Sequence, residues 1–380
     1  MKVFAVFNTD RLGGAERSFI DSLAKLPDYA QVTVWIPTLS KDPLLEQKVL
    51  ALLPKSKISR FRVSGYYYQS SRSSSFSKFP LLLSFIYALF RIRTIPIHDA
   101  DIIWLNGNKV GALFYCLCLL KKWNGTLWWH LRDYFPTSSL LSKLLDRVVP
   151  FKREFVANSF SVANDFNQQY ESIKTYTLYN SPPDIKDSSC DHKPFNGKIG
   201  IASMLTPWKG QHDVLWMLVR NESRFVELGV KEIYLYGEDI YLTAGNHVGY
   251  KDSLIKIADK LNSIKVIFAG LMPLNTIYST IDILIHSSIK PEPFGRVIVE
   301  AMAHGLPVLS TGLGGAGELV NNDRAFCYEP SHDHMFTKAI EDAIQDLETS
   351  QKRTKAVAFV RDLNVTIDQQ FDDLMKSYIL

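Results

Sequence analysis

"PEPFGRVIVEAMAHGLPVLSTGLGGAGELV", residues 291–320, admits two readings, and the choice between them decides the fold. Its last part, "GLGGAG" at 312–317 after the apolar run "LPVLST", has the G-x-G-x-x-G spacing of a dinucleotide-cradling loop. Asp333 lies about twenty positions on, where a ribose-binding acid is expected. That reading requires the third Gly to open a full helix inside a βαβ unit. Here "GELVNND" leads at once to a strand-like run, "RAFCY", from Arg324, leaving room for about two helical turns at most. Asp333 then falls after that strand, near a helix start, where capping is the simpler role. An NAD-linked oxidoreductase is left as an alternative.

The first part of the stretch carries more. Glu292 precedes Pro293, and Glu300 follows eight residues later. Proline favours an extended residue before it and a helix start after it. Glu292 is thus expected at the mouth of a helix whose first N–H groups, near Phe294, Gly295 and Arg296, form a phosphate site. Glu300 sits within "VIVEAMA", where a buried carboxylate needs either a Lys or Arg partner or the hydroxyls of a ligand. With about 1.5 Å of rise per residue, the two acids stand about 12 Å apart. A nucleoside diphosphate sugar would span that interval, with ribose at Glu300, phosphates at the helix mouth and sugar at Glu292.

The rest of the chain agrees with a two-domain α/β protein. Its 380 residues exceed one ordinary core, and 46% hydrophobic with 22% charged residues excludes disordered and collagen-like classes. Short β-rich runs such as "KVFAVFN", "QVTVWIP", "DIIWLNG" and "TLWWHL" alternate with amphipathic stretches, and after a break "KIGIASML", "EIYLYG" and "DILIHSS" repeat the pattern. Such alternation predicts parallel sheets covered on both faces. The break, "YNSPPDIKDSSCDHKPFNGK" at 179–198, reads as a linker. The amino-terminal "MKVFAVFNTD" is too short for a signal-peptide core and reads as a strand.

The longest apolar run, "FPLLLSFIYALF" at 79–90, falls short of the roughly 20 residues that a spanning helix needs. Cys116, Cys118, Cys190 and Cys327 match neither a zinc nor a disulfide pattern, and a reducing cytoplasm is expected. Charge is lopsided: residues 1–180 carry 23 Lys and Arg against 13 Asp and Glu, and residues 181–380 carry 20 against 26. A positive amino-terminal half attracts polyanions. No nucleic-acid-binding pattern accompanies it, so an anionic membrane surface is the expected partner and nucleic acid is not. "KFPLLLSFIYALFRIR", flanked by Lys78, Arg91 and Arg93 and following Tyr66, Tyr67 and Tyr68, suits a segment resting at such a surface.

"EPFGRVIVEAMAHGLPVLSTGLGGAGELV" resembles the E-x7-E region of the retaining glycosyltransferase family 4, and its glycine loop matches at Gly314, Gly315 and Glu318. The resemblance runs along nearly the whole chain. "DRLGGAERSF" resembles the family's first glycine-rich loop, implying that Gly13 and Gly14 let backbone approach the donor diphosphate. "LWWHLRDYF" supplies His130 at a strand end, implying a role near sugar or acceptor, and "SMLTPWKGQHDVL" supplies Lys209 as the phosphate-neutralising lysine. One departure stands out: Met204 occupies the place of the turn's usual Arg, with Arg132 and Arg296 as candidate substitutes, and Ser203 replaces its Gly.

The resemblance implies a GT-B fold, two facing Rossmann-like domains with a cleft between them and a crossover helix at the end. Residues 1–181 with 364–380 would bind acceptor and residues 182–363 would bind donor. The implied reaction is retaining transfer from a nucleotide-diphosphate sugar, UDP- or GDP-linked ahead of ADP-linked, to a glycan or lipid-linked acceptor. No cofactor or metal is expected, and "DAD" at 99–101 and "HDH" at 332–334 read as structural. Glu292 would be catalytic with His130 nearby, while Gly13, Gly14, Lys209, Phe294, Gly295, Arg296, Glu300, Gly314 and Gly315 would bind donor. A GT-B epimerase or phosphorylase is a further alternative.

Overall fold

The structure is a computed structural model, and it describes residues 1–40, 43–63, 78–135, 145, 148–171, 173–183, 193–239 and 248–379. The Ser-rich stretch with Tyr66, Tyr67 and Tyr68, Cys190 and much of the expected linker lie outside the described residues. The chain forms two compact units, Met1–Ser181 with Thr366–Leu380, and Pro182–Val365.

The first unit holds seven strands: β1 (Lys2–Val6), β2 (Gln31–Thr38), β3 (Lys57–Arg62), β4 (Ile102–Asn106), β5 (Thr126–Leu131), β6 (Lys152–Ala157) and β7 (Thr175–Thr177). They pair in the order β3-β2-β1-β4-β5-β6-β7, all parallel. Every residue of β4 and β5 is buried, as expected of strands covered on both faces by helices. Sequence reading misses β3. Its "KISRFR" is half basic, a composition that suits its place at the sheet edge, where charged side chains discourage further pairing.

The second unit holds β8 (Lys198–Ala202), β9 (Glu232–Tyr236), β10 (Lys265–Gly270), β11 (Ile283–His286), β12 (Val308–Ser310) and β13 (Phe326–Cys327). Their order, β10-β9-β8-β11-β12-β13, is the doubly wound pattern 3-2-1-4-5-6. In such sheets ligands bind beyond the carboxyl ends of the strands where the order reverses, here between β8 and β11.

The long helix Gln351–Ile379 ends on the first unit. There Phe371 packs against Trp104 and Tyr378 against Trp128, and the Ser377 hydroxyl donates to the buried Glu154 at 2.8 Å. Among the described residues no helix is long and apolar enough to cross a membrane.

Candidate active site

The region around Glu292 is built at the switch point of the second unit. After β8 the chain makes a short 3-10 turn, Pro207–Lys209, and a left-handed Gly210 (φ +71°) opens the helix Gln211–Arg220. Only glycine fits at 210: a Cβ there would lie 1.9 Å from the Ser287 carbonyl oxygen. That close approach packs Lys209 against the end of β11, where the Ser287 hydroxyl donates to the Lys209 carbonyl at 2.7 Å. The ammonium of Lys209 lies over the Trp208 ring, 4.1 Å from its centroid, and donates to Glu292 Oε2 at 2.5 Å.

Glu292 is held through both backbone and side chain. Its N–H donates to Leu313 O at 3.0 Å, and Gly315 N–H donates to Glu292 O at 2.7 Å, so a parallel bridge seats it against Gly314 of the glycine loop. Its carboxylate accepts from Ser288 Oγ at 3.0 Å and lies 3.6 Å from His286 Nε2. Burial alone would raise this carboxyl, but His286 and the Lys209 ammonium together outweigh it and hold Glu292 well below the usual carboxylate range. Glu292 is therefore a half-buried, ionised acid.

The helix that carries Glu300 runs Arg296–Ala303, starting after a left-handed Gly295 (φ +92°). It begins later than the proline suggested, so Pro293 and Phe294 precede it and Phe294 is buried. The arginine foreseen for Glu300 is among its partners: Arg296 Nε donates to Oε1 at 3.3 Å, and Tyr278 Oη donates to Oε2 at 2.9 Å. Arg296 is paired with Glu300 from the same helix, and Met204, in the place of the turn's usual arginine, is 38% exposed. The helix after the glycine loop is a single turn, Ala316–Leu319, too short for a dinucleotide fold. The cap of helix Asp333–Thr349 is His332, whose ring accepts from Met335 N–H, while Asp333 binds Arg220. This corrects the capping role expected of Asp333.

The remaining expected residues lie in the first unit. Gly13 caps the helix Gly14–Leu23; its N–H donates to Arg11 O at 3.2 Å and also draws on the carboxyl of Glu16, the third residue of the helix, as in a capping box. The Glu16 carboxyl thus lies at the helix start beside Gly13 and Gly14. Burial pushes Glu16 up to about 7, against the opposing pull of Arg132. Arg132 is committed to the side-chain oxygens of Asn106 and Asn180, each at 2.7 Å.

His130 is fully enclosed, its ring parallel to Trp104 and edge-on to Phe19. Neither ring nitrogen has a hydrogen-bond partner among the described residues, and burial together with Arg132 lowers its pKa well below the ordinary value. As placed, the imidazole has no open face for a substrate and is neutral. Its catalytic assignment gains no support from this geometry.

Two doubly wound parallel sheets, with an acid–lysine pair and a glycine loop at the switch point of the second, define a GT-B protein. Residues 197–358 match the family described as glycosyl transferases group 1. It is 26% identical over 225 residues to YtcC of Bacillus subtilis (strain 168), which carries a provisional glycosyltransferase name. That alignment covers 56% of this chain and spans about half of the relative, 54%. Among solved structures, HepE of Anabaena in complex with UDP and glucose superposes with a TM-score of 0.74 at 24% identity, covering 99% of this chain and 100% of that one. TarM of S. aureus, in a complex with UDP, gives 0.69 at 11% identity over 98% and 99%, and the pneumococcal O-GlcNAc transferase GtfA, with UDP and GlcNAc, gives 0.64 at 12% over 100% and 99%. At these identities the likeness establishes the shared GT-B fold.

Proposed function

We propose that the protein is a retaining glycosyltransferase that moves a sugar from a nucleotide-diphosphate donor to an acceptor hydroxyl. The observation that carries this reading is the half-buried pair of Lys209 and Glu292, seated on the glycine loop ahead of the Glu300 helix. An arriving diphosphate competes for the Lys209 ammonium and meets the amides of the glycine loop and of the helix at Arg296. Glu292, left ionised, orients the sugar hydroxyls and stabilises the positive charge that develops at the anomeric carbon. Glu300, aimed by Tyr278 and Arg296, grips the ribose.

In the front-face reaction implied by the family, the bond from the anomeric carbon to the phosphate oxygen breaks as the bond to the acceptor oxygen forms on the same side. The acceptor proton passes to the departing phosphate, so no side-chain nucleophile is needed. UDP bound to HepE, TarM and GtfA favours a UDP-linked donor. Glycan or lipid-linked acceptors of surface polysaccharide assembly, on the cytoplasmic face of a membrane, fit the basic first half. The helix Lys78–Ile92 buries Ser84, Ala88 and Ile92 and exposes Leu82, Leu83, Ile86, Tyr87 and Phe90, with Arg91 and Arg93 beside them. That face suits an anionic bilayer surface.

Product analysis with UDP-, GDP- and ADP-sugars tests the reading. A new glycoside of retained configuration is expected, with activity that survives EDTA. Hydrolysis, epimerisation or phosphorolysis without transfer would replace it. Flotation with anionic against neutral liposomes tests the docking face, and equal recovery in both would remove it.

A further inference from the structure

One group beside Glu292 has no part in the reaction just described. His286, the last residue of β11, is buried at 4% exposure between two serines. Its Nδ1 lies 3.1 Å from Ser310 Oγ and its Nε2 lies 3.3 Å from Ser288 Oγ. The hydroxyl hydrogen of Ser288 sets the direction of its contact, and a neutral imidazole then sets the other. Ser288 has one hydroxyl hydrogen and gives it to Glu292 Oε2 at 3.0 Å, so towards the imidazole its oxygen accepts, and Nε2 must carry a proton. On the other side Ser310 Oγ accepts from the Gly312 N–H at 3.1 Å, leaving its own hydrogen to donate to a bare Nδ1.

We propose that His286 is a positioning residue for Glu292, the central link of a one-way hydrogen-bond chain. The chain runs from the Gly312 N–H through Ser310, His286 and Ser288 to the Glu292 carboxylate. This rests on the glycosyltransferase reading of Glu292. The glycine loop is then joined to Glu292 twice, by its backbone bridge and through the imidazole. A carboxylate that must face the sugar at a fixed angle is kept there by the loop that approaches the same donor. Cooperative polarisation along such a chain strengthens its last bond, the one to the charged group. No proton is transferred along it.

Three measurements test the link. In 15N spectra of the wild-type protein, His286 should be the Nε2–H tautomer; a bare Nε2, or a protonated Nδ1, overturns the proposal. His286→Phe should lower kcat for sugar transfer by about tenfold to a hundredfold, the usual effect of losing support to a charged group, with little change in donor KM. His286→Gln, which restores an N–H near Nε2, should recover most of that loss. Ser288→Ala should cost a similar factor, and the double variant with His286→Phe should be no worse than either alone, since both break one chain. Wild-type kcat in a folded His286→Phe or Ser288→Ala protein overturns the proposal; if the former does not fold, the latter and the spectrum decide. Should the wild type turn over no nucleotide sugar, the functional reading fails while the spectrum still judges the chain.

Discussion

Replacing Glu16 by Gln should make the first unit more stable above neutral pH and leave it nearly unchanged in acid. Glu16 is buried at 5% exposure, and its carboxyl rises from 4.5 to about 7 because burial penalises the charged form more than its own N–H, Arg132 and the Gly13 N–H favour it. A group whose acid form is held more tightly in the folded state gives its full stability benefit below the unfolded value, near 4.5. Between there and about 7 the folded protein keeps a proton that the unfolded chain releases, so stability falls as pH rises and then levels off. At about 1.4 kcal/mol for each pH unit, the wild type should lose about 3 kcal/mol across that window. Glutamine keeps the capping geometry and cannot ionise, so the variant escapes the loss.

The assay is urea unfolding followed by tryptophan fluorescence at several pH values from 4.5 to 8. Five of the seven tryptophans, Trp35, Trp104, Trp123, Trp128 and Trp129, lie in the first unit and report on it. The quantity of interest is the difference between variant and wild type, which removes the acids common to both, including those of the second unit. That difference should open from near zero at pH 4.5 to about 3 kcal/mol at pH 8. A difference that does not vary with pH would refute the argument, because Glu16 would then titrate alike in folded and unfolded chains.

Glu300→Ala should weaken nucleotide binding, whereas Glu292→Ala should mainly lower turnover; wild-type kinetics in both, measured with a substrate the enzyme turns over, would disprove the site assignment. Gly210→Ala should destabilise the second unit by about 3 kcal/mol or more, because it forces a left-handed backbone and drives a Cβ into the Ser287 carbonyl. Thermal unfolding checks it, and an unchanged Tm would show that the turn yields freely. Met204→Arg should tighten UDP binding about tenfold by calorimetry, through a charge-assisted contact discounted for partial exposure. Unchanged affinity would mean that the phosphates do not lie beside that turn.

The sequence made legible what is local in the chain and concealed what folding brings together. Hydrophobic alternation exposed the βα repeats, and it failed at β3 because an edge strand with basic residues has no apolar pattern to read. The Arg296 partner of Glu300 was within reach of sequence alone, four residues back on one helix face, where oppositely charged side chains meet. The Lys209 partner of Glu292 was not, since 83 residues and three strands separate them. Nor was His286, which reads as an ordinary strand end until Ser288 and Ser310 close around it. His130 is a related case. Strand order does place it at a carboxyl end, but the ring beside it belongs to Trp104 of the neighbouring strand, and the two bury each other. Position along a strand tells which end of the sheet a residue occupies, and only its neighbours decide whether it faces a ligand or the core. By that measure Glu292 is the better-supported acid. Its ionisation is enforced by named groups on two separate segments, whereas Glu300 already has both carboxylate oxygens engaged by Arg296 and Tyr278 and must share them with any ribose that binds.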